Sequence, residues 1–236
     1  MDKRIQDLRY IILPGKPSSS HPLNSLHEKA YATWREVWES EFRKLNYPTA
    51  DLANDFLRQD YIPVIAHGDE IAALHLYSKF NITNRAILDH KYFVGNYPKE
   101  FIDNLRGRGI HTVMSMEYLT VNPAWRAKVV GVQLSDVIIG LGTKLLPETE
   151  AQVFIGPARN DYKVSQKTYE FGFDCLLANY MNHNVSCDLV AGFREKLKPS
   201  PDPVIAALIQ KLWRNRWNEN DGREEGAEVI SLRRAA

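Results

Sequence analysis

The segment 116–134, MEYLTVNPAWRAKVVGVQL, sets a strand-like run ending at Val121 against a helical pattern that begins near Gly131. A helix that starts just past a strand aims its unpaired first amides, and the positive end of its dipole, at the space beyond that strand. Such a turn is an anion site suited to phosphates. Arg126 and Lys128 add positive charge beside it, and Gly131 lets a ligand approach the backbone closely. The plainer alternative is a strand–helix connection with solvated charges. Upstream, His111, Val113, Ser115, Glu117, Leu119 and Val121 share one face of the strand by the two-residue period. Glu117 therefore puts a carboxylate on the strand that feeds the turn. Its ordinary reading is a strand carboxylate paired with Lys or Arg.

The elements that must hold these residues follow from periodicity and turn chemistry. Residues 4–13 read as a first strand, and the Pro- and Ser-rich loop PGKPSSSHPLN follows. Ser25-Leu26-His27-Glu28 fits a capping box, and Leu26, Ala30, Trp34, Val37, Trp38, Phe42 and Leu45 make one apolar helix face. The two tryptophans read as core. Residues 61–77 read as a hairpin turning at Gly68-Asp69. A helix over 97–108, a strand from Ile110 to Val121 and a helix from about Gly131 to Leu146, closed by Pro147, come next. A strand at QVFIG, a helix near 163–171, a hairpin around Asn182-His183-Asn184 and a helix over 203–217 complete the pattern. Helices are interleaved with strands, which predicts an α/β or α+β single domain. It would run over 1–217, with 1–60 an N-terminal strand and helix extension, 60–190 the core and 218–236 a flexible tail.

Composition narrows the class. The 236 residues carry a net charge of +1, with 44% hydrophobic and 25% charged, so a sizeable core is available and no global charge draws the chain to nucleic acid. No run approaches the ~18 apolar residues of a membrane span, and MDKRIQDLRYII has no signal-peptide apolar segment. The expected location is cytoplasmic. Cys175 and Cys187, the two cysteines, support neither a disulfide framework nor a zinc site, and no metal is expected. The C-terminal LIQKLWRNRW reads as a packed helix, with contact to a membrane surface as its alternative.

The run EYLTVNPAWRAKVVGVQLSDVIIGL resembles the acyl-CoA-binding core of the GNAT acyltransferase superfamily, in which a strand ending V-x-P-x-x-R leads through a Q/R-x-x-G-x-G/A loop into a helix. A second stretch, VFIGPARNDYKVSQKTYEFGF, resembles the strand, helix and terminal G-F that follow in that family. The resemblance spans roughly residues 60–190. It implies a twisted, splayed central mixed sheet flanked by helices, and transfer of an acyl group from a thioester to a primary amine. It also implies that the backbone of Leu119, Thr120 and Val121 meets the pantetheine arm of the donor. Arg126, Lys128, Val130, Gly131 and Val132 would meet its pyrophosphate, and Asn160 would contact coenzyme A.

Val129 stands where the family pattern has its first glycine, and a β-branched residue crowds that backbone. Either the phosphates sit differently or the donor is an acyl carrier protein, which presents the same arm on one phosphate. The run VMSMEYLTVNPAWR with the enlarged N-terminal region is similar to the N-acyl amino acid synthases, relatives of the acyl-homoserine lactone synthases. That branch implies a long-chain donor and an amino acid as acceptor. Among catalytic residues the resemblance points to Glu117 as base, directly or through water. The family's general-acid tyrosine position is occupied by Thr168, with Tyr169 one residue later as a weaker candidate. His111 and Ser115 would line the acceptor side or be ordinary strand residues. Two other readings stay open: a short-chain acetyl-CoA-dependent N-acetyltransferase, and a GNAT-like module that binds an acyl ligand or a partner without catalysis.

Overall fold

The computed structural model describes residues 2–49 and 52–218; the expected tail lies, Asn218 apart, outside them. Asp2 accepts a hydrogen bond from the Arg4 amide (2.9 Å) and winds Lys3–Asp7 into a 3₁₀ turn. The first strand, β1 (Leu8–Pro14), consequently starts later than the apolar pattern at residue 4 suggests. Then come α1 (Asn24–Lys44), α2 (Leu52–Leu57), β2 (Tyr61–His67), β3 (Glu70–Asn81), α3 (Arg85–Leu88), α4 (Lys91–Asn96) and α5 (Lys99–Gly107). The chain continues through β4 (Thr112–Val121), α6 (Ala127–Val130), α7 (Leu134–Leu145), β5 (Val153–Arg159) and α8 (Val164–Glu170). It closes with β6 (Asp174–Asn182), β7 (Val185–Phe193), α9 (Pro203–Arg214) and β8 (Trp217–Asn218).

The strands form one mixed sheet in the order β6-β7-β5-β4-β3-β2-β1-β8. One face is covered by α7, α8 and α9, whose Leu134, Ile138, Ile209 and Leu212 bury against it. The other face carries α1 and α2 at one end and α4 with α5 at the other. The hairpin turn at Gly68-Asp69 forms as expected, with Gly68 at φ 56°.

Three local expectations fail for identifiable reasons. The Ser25–Glu28 capping box does not form. Asn24 Nδ2 donates to the Ser18 and Ser19 carbonyls (2.8 Å each) and ties the loop down, so α1 begins at Asn24 and no side chain caps it. The turn after β4 is not a direct entry into a long helix. Val130 is buried and anchors the short α6, and Gly131 ends that helix in the left-handed region at φ 75°. The following helix starts at Leu134. Finally, the single face from His111 to Val121 is split by a bulge. Tyr118 adopts φ 55°, and the β3–β4 register slips between Leu74 and Leu76. Met116, Leu119 and Val121 consequently face α7, while Glu117, Tyr118 and Thr120 face the other side.

The sheet opens at its centre. β4 and the parallel β5 pair only through Val113–Val153, Met114–Phe154 and Ser115–Ile155. Beyond Ser115 the Tyr118 bulge turns β4 away, and Pro157 offers no amide for a ladder. Gly156 sits where the strands part, and a Cβ there would stand 2.7 Å from the Met116 carbonyl oxygen.

Candidate functional site

The parted strands form the wall between two spaces. On the α7 side is a cavity of about 560 Å³. Its apolar wall comes from Leu119 and Val121 on β4, Ile139 on α7, Phe173 and Val190. Gln133, Leu134 and Ser135 bring the start of α7 to its edge, and no side chain caps that helix. Arg126 and Lys128 line its mouth from exposed positions. Lys167 on α8 also lines it and is held by Asp136 in the first turn of α7, which accepts from Ser135 Oγ as well (3.0 Å). His75 reaches the cavity from β3, and burial pushes its imidazole down to about 3, so it is neutral at physiological pH.

On the opposite side is a smaller pocket of about 60 Å³. Glu117 forms part of its wall and is 6% exposed. Arg58, just past α2, donates from both terminal nitrogens to the two Glu117 oxygens (3.0 and 2.6 Å) and lies over the Tyr92 ring at 3.9 Å. Burial works against the Arg58 charge, but Glu117 outweighs it and holds the guanidinium above its ordinary value. Asp55 accepts from Tyr118 Oη (2.8 Å) and stands 3.8 Å from Arg58. Burial pushes the Asp55 carboxyl up. Trp38, Met116, Tyr118, Pro157 and Arg159 border both spaces, so the cavity and the pocket meet between β4 and β5.

A second buried ion network lies at that junction. Arg159 donates to Glu41 Oε2 (3.2 Å) and to both oxygens of Asp161 (3.0 and 2.6 Å). Glu41 also accepts from Lys44 (2.6 Å) and Tyr162 Oη (3.1 Å). Burial alone would raise its carboxyl; those partners and Arg159 hold it below the usual range. Among the described residues no cluster of three or more His, Cys, Asp or Glu stands where it could hold a metal ion.

The residues singled out in the sequence divide into two sets. Leu119, Val121, Arg126 and Lys128 line the large cavity and Glu117 the small pocket. Thr120 turns toward α1, accepting from Trp38 Nε1 (3.0 Å) and donating to the Tyr118 carbonyl (2.7 Å). Val130 and Val132 are buried in the core beneath the turn, and Gly131 serves as a helix cap. Val129 points outward at 55% exposure. Asn160 braces β7: its Nδ2 donates to Ser186 Oγ (3.2 Å) and Asp188 Oδ1 (3.1 Å). Tyr169 donates to Asp188, and Thr168 takes the place on the cavity wall. Ser115 is spent on β3, accepting from the Ser78 amide (3.1 Å) and donating to its carbonyl (3.3 Å). His111 is exposed outside β4. Arg58 and His75 reach the site only through the fold; Arg159, beside Asn160, and His183, in the β6–β7 turn, lie in segments the sequence marks, but nothing local says that they enter the pocket.

A bulged β4, a parallel β5 that parts from it and a helix start facing the gap together describe one known architecture. Solved structures agree. The N-acyl amino acid synthase FeeM from uncultured soil microbes superposes with a TM-score of 0.53 at 12% identity, over 80% of this chain and 93% of that one. BjaI, a CoA-dependent acyl-homoserine lactone synthase, gives 0.54 at 9% identity over 86% and 88%. Mosquito arylalkylamine N-acetyltransferase-like 5b gives 0.50 at 11% identity over 79% and 99%. This chain has the GNAT fold. At these identities the likeness is one of fold. No protein-family model and no curated protein matches the sequence. Within the GNAT fold of this chain, no helix among the described residues is long and apolar enough to cross a membrane.

Proposed function

We propose that the protein is an N-acyltransferase that moves an acyl group from a thioester to a primary amine. The observation that carries this reading is the parting of β4 and β5, which joins a large apolar cavity to a small pocket walled by a buried carboxylate. The donor's pantetheine arm lies along β4 past Ser115, where no described strand pairs with that edge. Its phosphate meets the start of α7 with Arg126 and Lys128, since free amides and cations together favour an anion. The amine enters from the small pocket. Its nitrogen attacks the thioester carbonyl, an N–C bond forms, the C–S bond breaks, and Glu117 takes the amine proton directly or through one water. A β4 amide past Ser115 meets the oxyanion. The products are an amide and a free thiol, which carries away one proton.

The cavity of about 560 Å³ must also take the pantetheine arm; it is Ile139, Phe173 and Val190 in its wall that favour an apolar chain longer than acetyl. Both coenzyme A and an acyl carrier protein present the required arm. Asp136, already in the first turn of α7 and neutralised by Lys167, makes a single phosphate the less demanding guest.

Glu117→Gln tests the assignment. Turnover, read as thiol release, should fall by ~10²–10⁴, with donor affinity little changed. A variant that keeps full turnover removes Glu117 as the base. Unchanged ligand binding together with absent turnover in both proteins would favour a binding module.

A further inference from the structure

Resting on the acyltransfer reading, we infer that the acceptor is a primary amine with an apolar or aromatic body and no carboxylate beside the amine, rather than an amino acid. The charges in the small pocket decide between the two. An α-amino acid brings a carboxylate against a wall in which Glu117 is already buried, and an unpaired carboxylate taken out of water is costly. It needs a cation that is not already matched.

Among the described residues Arg159 is the cation in the pocket wall and Arg58 lies behind it, and both are matched; Lys44, farther out, is held by Glu41 (2.6 Å). Arg58 sits behind Glu117 with both of its terminal nitrogens on that carboxylate. Arg159, in the wall itself, already faces two carboxylates, Glu41 and Asp161. A substrate carboxylate there would be the third around one guanidinium, repelled by Asp161 and, less strongly because Lys44 also holds it, by Glu41. His183 is half-buried against Phe42 and Tyr47, at 5.2 and 4.4 Å between ring centres. Burial pushes its imidazole down to about 4, which leaves it without charge at physiological pH.

What the pocket does offer suits an amine. Trp38, Phe42, Tyr92 and Tyr118 supply ring faces and edges, and Leu45 and Val185 supply aliphatic wall. Trp38 and Tyr118 stand edge-to-face at 5.0 Å and fix one side of the space. Aromatic faces attract an ammonium group as it enters; its first proton goes to solvent, and Glu117 takes the second as the neutral amine attacks. A carboxylate gains nothing from either.

Matched pairs of ligands test this on the full chain. Titration calorimetry with phenethylamine and L-phenylalanine, and with isoamylamine and L-leucine, compares the same body with and without the carboxylate. Each amine should bind at least tenfold more tightly than its amino acid. Equal affinity, tighter binding of the amino acid, or binding of neither member of both pairs overturns the inference. His183→Lys, which places a charge at the rim, should narrow the gap within each pair, and an unchanged gap would contradict the charge argument. Thiol release from octanoyl-CoA, measured on the same samples, keeps the two claims apart. Amine binding without turnover by any thioester would sink the acyltransfer reading and leave the acceptor class standing.

Discussion

The two spaces on either side of the parted strands are built on opposite principles. The large cavity has an apolar wall and, besides the matched Lys167 and the Arg159 it shares with the pocket, two exposed cations at its mouth, Arg126 and Lys128. The small pocket has aromatic walls and its charges buried, each already matched: Glu117 by Arg58, and Arg159 by Glu41 and Asp161. Exposed cations keep long-range attraction for an anion at little cost in desolvation. Buried matched charges attract little from afar and instead fix geometry, because breaking such a pair strands a charge out of water. One side is built to draw in and hold a long anionic guest. The other is built to orient a small one.

Removing a buried partner should have the largest effect. Arg58→Ala should cost about 3–5 kcal/mol in urea unfolding, since it leaves the Glu117 carboxylate, 5% exposed, without its cation. A loss below about 1 kcal/mol would mean that water reaches Glu117 and that the pocket is not dry.

Filling the apolar end of the cavity should act on chain length alone. Ile139→Phe narrows the wall contributed by α7, and kcat/KM for dodecanoyl over acetyl donors should drop roughly 10–200-fold, the range for hydrophobic-pocket discrimination. An unchanged ratio would place the acyl chain elsewhere.

His75 tests how dry the boundary is. Its folded value near 3 lies below the ordinary 6.5, so below about pH 6.5 the unfolded chain takes up a proton that the folded one refuses. Stability should be flat above that value and fall as pH drops from 6.5 toward 3, by about 1.4 kcal/mol per pH unit for this group. His183 adds to the slope between 6.5 and about 4. His75→Asn should flatten the slope in pH-dependent unfolding, and an unaltered slope would show that water reaches the ring.

Arg126→Ala should have the smallest effect: a few-fold weaker donor binding at low ionic strength, vanishing near 1 M salt where the screening length is about 3 Å. Salt-independent weakening would place the Arg126 guanidinium in a buried contact instead.

Much of the fold was legible because its signals are local. Gly68-Asp69 marks a hairpin by itself, and the apolar stripe on α7 and the short apolar run of β5 need no partner to be seen. The failures share a cause. Nothing in Glu-Tyr-Leu announces that Tyr118 will take a left-handed backbone, and that one residue moves Leu119 and Val121 to the face opposite Glu117. Gly131 reads equally well as the start of one helix or the cap of another; burial of Val130 decides for the cap. The Arg58–Glu117 pair spans 59 residues and exists only once β2, β3 and β4 are aligned. The strand carboxylate was visible, and the cation that holds it was not.

The reading as a whole stands or falls on one incubation. The full chain is given octanoyl-CoA or octanoyl carrier protein with a pooled panel of primary amines and amino acids, and free thiol and amide mass are followed together. One thiol released per amide formed, at a rate proportional to protein, is expected. Bound donor with neither thiol nor amide appearing would contradict acyl transfer and leave the parted sheet as a binding cleft.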